Sequence, residues 1–172
     1  MKLHGDITIN GKLHPRGSEI AWYAIYPFFL LHMAMFGGSG FLMAYAGKDV
    51  PTMFLYLHGG IAILVYVIFY FAIFGKDEVK WMFINAGIGL YGIWCEIRWL
   101  LSLFGAQMSD YPWHRHLVPF LYYILYTFLV RQMVLDLFHA REAGPRRQRV
   151  ETAYIVVSLL VYTLFYLGQR GG

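Results

Sequence analysis

The sequence predicts an all-α, polytopic integral membrane protein: a bundle of five transmembrane helices with its N-terminus in the cytoplasm. Three observations lead there. Of the 172 residues, 59% are hydrophobic and only 14% are charged, against about 45–50% and about 25% in soluble domains. The apolar residues gather into five stretches, each long enough, or nearly so, to span about 30 Å of hydrocarbon. The lysines and arginines are divided unevenly among the segments between those stretches. Mean hydropathy is a modest +0.50. The 14 tyrosines explain part of that, because they score as polar yet sit readily at membrane interfaces. This composition excludes a disordered chain. A disulfide-built domain is excluded too, because Cys95 is the only cysteine.

Residues 1–19 form a polar cytoplasmic tail. Within it Asp6-Ile7-Thr8-Ile9-Asn10-Gly11-Lys12-Leu13 alternates polar and apolar around an Asn-Gly pair, a strong hairpin signal. A short hairpin and a flexible tail are both open at this point. The bundle, residues 20–168, follows. Its spans are Ile20–Ala46, Met53–Phe74, Trp81–Phe104, Leu117–Leu137 and Val150–Leu167. Gly, Pro and Asp punctuate the connections, as in Gly47-Lys48-Asp49, Gly75-Lys76-Asp77-Glu78, Ser109-Asp110-Tyr111-Pro112 and Glu142-Ala143-Gly144-Pro145. Residues 169–172 form a short C-terminal tail.

The charge distribution sets the orientation. Nine lysines and arginines fall in the N-terminal tail and the second and fourth connections, against three in the other connections and the C-terminal tail. The positive-inside rule then puts the N-terminus in the cytoplasm and the C-terminus outside, in the cell's inner (cytoplasmic) membrane. The net charge of +4 forms no single basic stripe, so no nucleic-acid partner is expected.

Glycines cluster in spans 1 to 3, at Gly37, Gly38, Gly40, Gly59, Gly60, Gly87, Gly89 and Gly92. They permit close helix approach or leave room for a flat cofactor. Four charged residues lie inside spans 3 and 4 and are functional candidates by default: Glu96, Arg98, Arg131 and Asp136. Glu96 needs a partner or a proton. Arg98 is near enough to the outer end of span 3 to snorkel to the headgroups. Two positions apart on a helix, Glu96 and Arg98 face different neighbours. Arg131 should face protein or a cofactor. Asp136 is expected to pair with His139, three positions on.

The histidines invite a haem reading, since paired imidazoles on facing helices hold b-type haem. His58 lies roughly 10 Å inside span 2, and His116 opens span 4 beside His114. Together His58 and His116 are the candidate iron ligands. Arg98 and Arg115, beside Trp99, would border that site and could neutralise haem propionates. His32 is a candidate ligand of a second, inner haem, with His139 as its partner. Span 4 separates His116 from His139 by roughly 34 Å of helix.

The segments Leu31-His32-Met33-Ala34 through Gly40-Phe41-Leu42, and Leu57-His58-Gly59-Gly60-Ile61-Ala62 closing with Gly75-Lys76-Asp77, resemble the cytochrome b561 and formate-dehydrogenase gamma-subunit type of membrane b cytochrome. The resemblance covers residues 27–78. It implies a bundle of four or five spans, haem on paired histidines with His32 and His58 as ligands, and electron exchange with quinone.

The expected function is therefore that of a membrane subunit of a respiratory or photosynthetic electron-transfer complex, with haem b and quinone as cofactors. Its partners would be the lipid bilayer and other subunits. The alternative is an accessory scaffold that binds partner subunits, lipid or pigment. No zinc motif, phosphate loop or desaturase-type histidine box supports a stand-alone enzyme, and no paired repeats suggest a transporter.

Overall fold

The computed structural model describes residues 1–9, 11–46 and 49–168, without the side chains at positions 84, 85 and 88. It is all-α apart from a terminal hairpin. Strands β1 (Ile7–Ile9) and β2 (Lys12–His14) precede five α-helices: α1 (Trp22–Tyr45), α2 (Thr52–Phe74), α3 (Lys76–Leu103), α4 (Leu117–Leu137) and α5 (Pro145–Gly168). Two short 3₁₀ turns, Met108–Asp110 and Trp113–His116, lie between α3 and α4. Four helical segments are long and apolar enough to cross a membrane: α1, α2, α5 and α4 extended back to Trp113. Helix α3 has the length, at 28 residues, but its charged first turn and the Glu96–Arg98 region interrupt its apolar character.

The strands pair antiparallel, with Ile9 opposite Lys12. The loop is two residues long, and Gly11 has φ 75°, the positive value such a turn requires. Asn10, the other half of the sequence signal, lies outside the described residues, as do residues 47–48 and the 169–172 tail. The N-terminal segment is tied to the bundle rather than free. Leu3 and Ile7 are buried. The amides of His4 and Gly5 both donate to Ala72 O, at 2.8 and 2.7 Å.

Two helices begin earlier than their apolar runs predict. Helix α3 starts at Lys76, directly after Gly75, whose φ of 83° turns the chain between α2 and α3 in one residue. Asp77 and Glu78 then occupy the first turn, where carboxylates complement the helix dipole. Helix α5 starts at Pro145; proline suits a first turn, where its missing N–H costs nothing.

The helices alternate in direction around α4. Tyr45, ending α1, meets His116 before α4, and Tyr26, near the start of α1, meets Asp136 near the end of α4. Gly59 of α2 lies against Val118, and Phe74 meets Phe128 edge to face, so α2 runs parallel to α4. Glu78 of α3 and Glu151 of α5 both reach Arg131, so these two helices run opposite to α4. The core is aromatic: Tyr26, Tyr70, Phe74 and Phe128 are fully buried. Helix α5 is bound most lightly. In its most apolar window only 6% of residues are buried, against 44% for α4.

The glycines fall into two groups. A Cβ at Gly59 or Gly92 would collide with Val118 or the Tyr162 ring, so these positions exist for close helix approach. Gly38, Gly60 and Gly87 face open space.

Candidate functional site

Each histidine expected to hold a cofactor has a defined setting. His58 and His116 lie at one level: Gly59 packs on Val118, and the Tyr56 hydroxyl donates to His114 O at 2.8 Å. Their rings turn to different neighbours. Nε2 of His58 is 3.0 Å from the Ser39 hydroxyl, and Nδ1 of His116 is 2.8 Å from the Tyr45 hydroxyl. His116 is also flanked by Phe120, while the His114 ring lies near Trp113. His32 and His58 instead share a cavity of about 460 Å³ between α1 and α2, walled by Phe28, Phe36 and Phe69. Along α1 the two rings are offset, because His32 sits against Phe28 and His58 against Phe36 and Ser39. From Phe28 to Phe36 and Ser39 is roughly 12–16 Å of helix, so the imidazoles flank the cavity rather than oppose each other across it.

The arginines expected at the same end are also placed. Arg115 is buried and donates to Val50 O at 2.8 Å and Ala44 O at 3.4 Å, bracing the connection between α1 and α2. Arg98 lies with its guanidinium over Trp94, 5.1 Å from the ring centre. Trp99 instead meets Phe165 of α5, the rings tilted at 46°.

The opposite end carries an ionic network. Arg131 is 3% exposed and binds both Glu78, at 3.1 Å, and Glu151, over the face of Trp81. Arg147 reaches the same two carboxylates at 2.6 and 2.9 Å. Gln132, fully buried, donates to Glu78 at 2.9 Å. Burial would raise the Glu78 carboxyl, but hydrogen bonds from Gln132, Arg147 and Arg131 bring it below its ordinary value. Beside this lies a second group. Arg141 pairs with Asp136, contacts the Tyr26 hydroxyl at 3.0 Å and covers the Phe74 ring. The expected Asp136–His139 pair is therefore corrected. Asp136 is engaged by Arg141 and Tyr26, and His139, with φ 48°, turns the chain at the end of α4 and is exposed. In the sequence Glu78 reads as part of a connection, Arg141 and Arg147 read as basic residues that set topology, and Glu151 at the start of the fifth span is not singled out. Only Arg131 and Asp136 signalled this network.

Glu96 occupies the most distinctive position. It lines a cavity of about 630 Å³ between α4 and α5, together with Tyr123, Tyr126, Tyr154 and Tyr162. Tyr123 lines the cavity beside it, and the Tyr123 ring in turn meets that of Tyr162, centres 6.5 Å apart. From this polar end the cavity runs along Val130 and Val134 to Phe138, with Val150 and Val157 of α5 on the other wall. Between Tyr123 and Phe138 that is roughly 22 Å of helix. Glu96 and Tyr123 also face a second apolar cavity of about 460 Å³, beside Gly37 and Gly38 of α1. A long, largely apolar cleft with Glu96, Tyr123 and Tyr162 toward one end and Arg149 at the other has the shape for a ligand with a hydrogen-bonding head and a long hydrocarbon tail. Among the described residues, no group of three or more His, Cys, Asp or Glu could hold a metal ion. No protein-family model, curated protein or solved structure matches the chain.

Proposed function

We propose that the chain is an integral membrane subunit of an electron-transfer complex, spanning the inner membrane five times, and that it binds a quinone in the cleft between α4 and α5. The observation that carries this reading is Glu96 beside Tyr123 at one end of that long, largely apolar cleft. Glu96 is half-buried, and a carboxyl at membrane depth is costly and marks function by default. The tail would lie along Val130, Val134 and Val157, and the quinone carbonyl would meet Glu96, Tyr123 and Tyr162. Those groups bind and orient the head and are able to hand a proton to its oxygen; electrons would come from partner subunits. The light packing of α5 supports entry of a ligand between α4 and α5, and leaves an apolar face for neighbouring subunits or lipid. The third span, Trp81–Phe104, would be the one that carries Glu96, and the uneven basic residues support an N-terminus in the cytoplasm.

The test is equilibrium binding of a short-tailed ubiquinone analogue to the detergent-solubilised chain. Saturable binding that falls at least tenfold in both Glu96→Gln and Tyr123→Phe supports the reading. Binding unchanged in both would overturn it.

A haem role is the second reading, favoured by His32 and His58 opening onto one aromatic cavity. It predicts an α band of b-cytochrome type in the dithionite-reduced spectrum, lost in His58→Ala. An absent band removes haem and leaves the quinone reading standing.

A further inference from the structure

We infer a second ligand site, for the phosphate of an anionic phospholipid headgroup, in the cleft beneath Arg98 where α3 and α5 end. It rests on the membrane setting but not on quinone binding. The cleft holds about 580 Å³ and differs from the three apolar cavities in its chemistry: Arg98, Ser102, Gln107 and Ser109 supply polar groups, and Trp94 and Met108 supply apolar wall. Among the described residues Arg98 has no carboxylate partner, in contrast to Arg131, Arg141 and Arg147. Its guanidinium is held over Trp94 at 5.1 Å. Stacking of this kind orients the planar fork while its N–H groups stay available.

The location fits a headgroup. Arg98 is roughly 8 Å of helix from the end of α3 at Leu103. Gly168, the last residue of α5, closes the same cleft. A phosphate oxygen pair matches a guanidinium fork. The tryptophan belongs at headgroup depth, and the acyl chains would continue down the bare face of α5. Free phosphate shares the chemistry but would not use the apolar wall.

The test uses the full chain in nanodiscs of equal phosphatidylglycerol and phosphatidylcholine, with native mass spectrometry counting retained lipids. The unaltered chain should retain phosphatidylglycerol about fivefold over phosphatidylcholine, the preference expected of one arginine near the surface. Arg98→Gln should bring the ratio near one, Arg98→Lys should keep part of it, and Lys80→Gln, at the other end of α3, should keep all of it. Trp94 emission should shift on adding phosphatidylglycerol vesicles only where Arg98 is present. An Arg98→Gln protein that keeps the preference overturns the site. Loss of the preference on adding inorganic phosphate overturns the lipid and assigns a free anion.

Discussion

Arg131 on α4 and Glu78 in the first turn of α3 are joined at 3.1 Å, with the arginine side chain only 4% exposed. Arg131 binds Glu151 of α5 as well, so one guanidinium ties three helices together. Removing one member of a buried ionic group leaves its partners uncompensated, at about 3–5 kcal/mol. Arg147 still reaches both carboxylates, so Arg131→Gln should cost about 3 kcal/mol, the low end of that range. Thermal unfolding in detergent measures it. The double variant with Arg147→Gln should lose more than the two single losses combined.

The same carboxylate makes stability depend on pH. Glu78 lies ahead of the third span, and its folded value is below its ordinary one. A carboxylate of that kind contributes fully above the unfolded value of about 4.3. The contribution is lost as pH falls through the folded value. The unaltered protein should therefore lose stability as pH drops below about 4.3, and Glu78→Gln should flatten that part of the profile. A scan of unfolding midpoint against pH, run on both proteins, checks the difference.

Gly59 and Val118 make a packing prediction. A Cβ at Gly59 would overlap Val118, whereas one at neighbouring Gly60 would meet nothing. Gly59→Ala should destabilise by about 1–3 kcal/mol, as overpacking does, and Val118→Ala in the same chain should recover most of it. Gly60→Ala should be neutral or slightly stabilising, because alanine is the better helix former. Unfolding midpoints of the four proteins separate the cases.

The helices were legible because apolar runs mark them: the end of α2 at Phe74 and both ends of α4 coincide with the expected limits. The hairpin was legible from its turn chemistry. Two things were hidden. Lys76, Asp77 and Glu78 read as a connection, although a helix accepts them in its first turn and uses Glu78 to anchor Arg131. The facing of side chains was also hidden. Depth arithmetic brought His58 and His116 to one level, but their rings meet Ser39 and Tyr45 instead. In a soluble helix the polar face would have set that rotation. Here α1, α2 and α4 are apolar nearly all round, so the sequence leaves the rotation open. Glu96 stood out from the start, because a carboxyl within an apolar span has no bland setting. Its tyrosine neighbours did not, being four among many.

Photoaffinity labelling with an azido-quinone, followed by peptide mapping, locates the quinone on the chain. The label should fall on residues of α4 and α5 that line the Glu96 cleft, Tyr123–Val134 and Ala153–Tyr162. Unlabelled quinone should compete it away, and Glu96→Gln should reduce it at least tenfold. Labelling spread evenly over the outer faces of α1 and α2, and indifferent to competitor, would contradict a quinone site between α4 and α5.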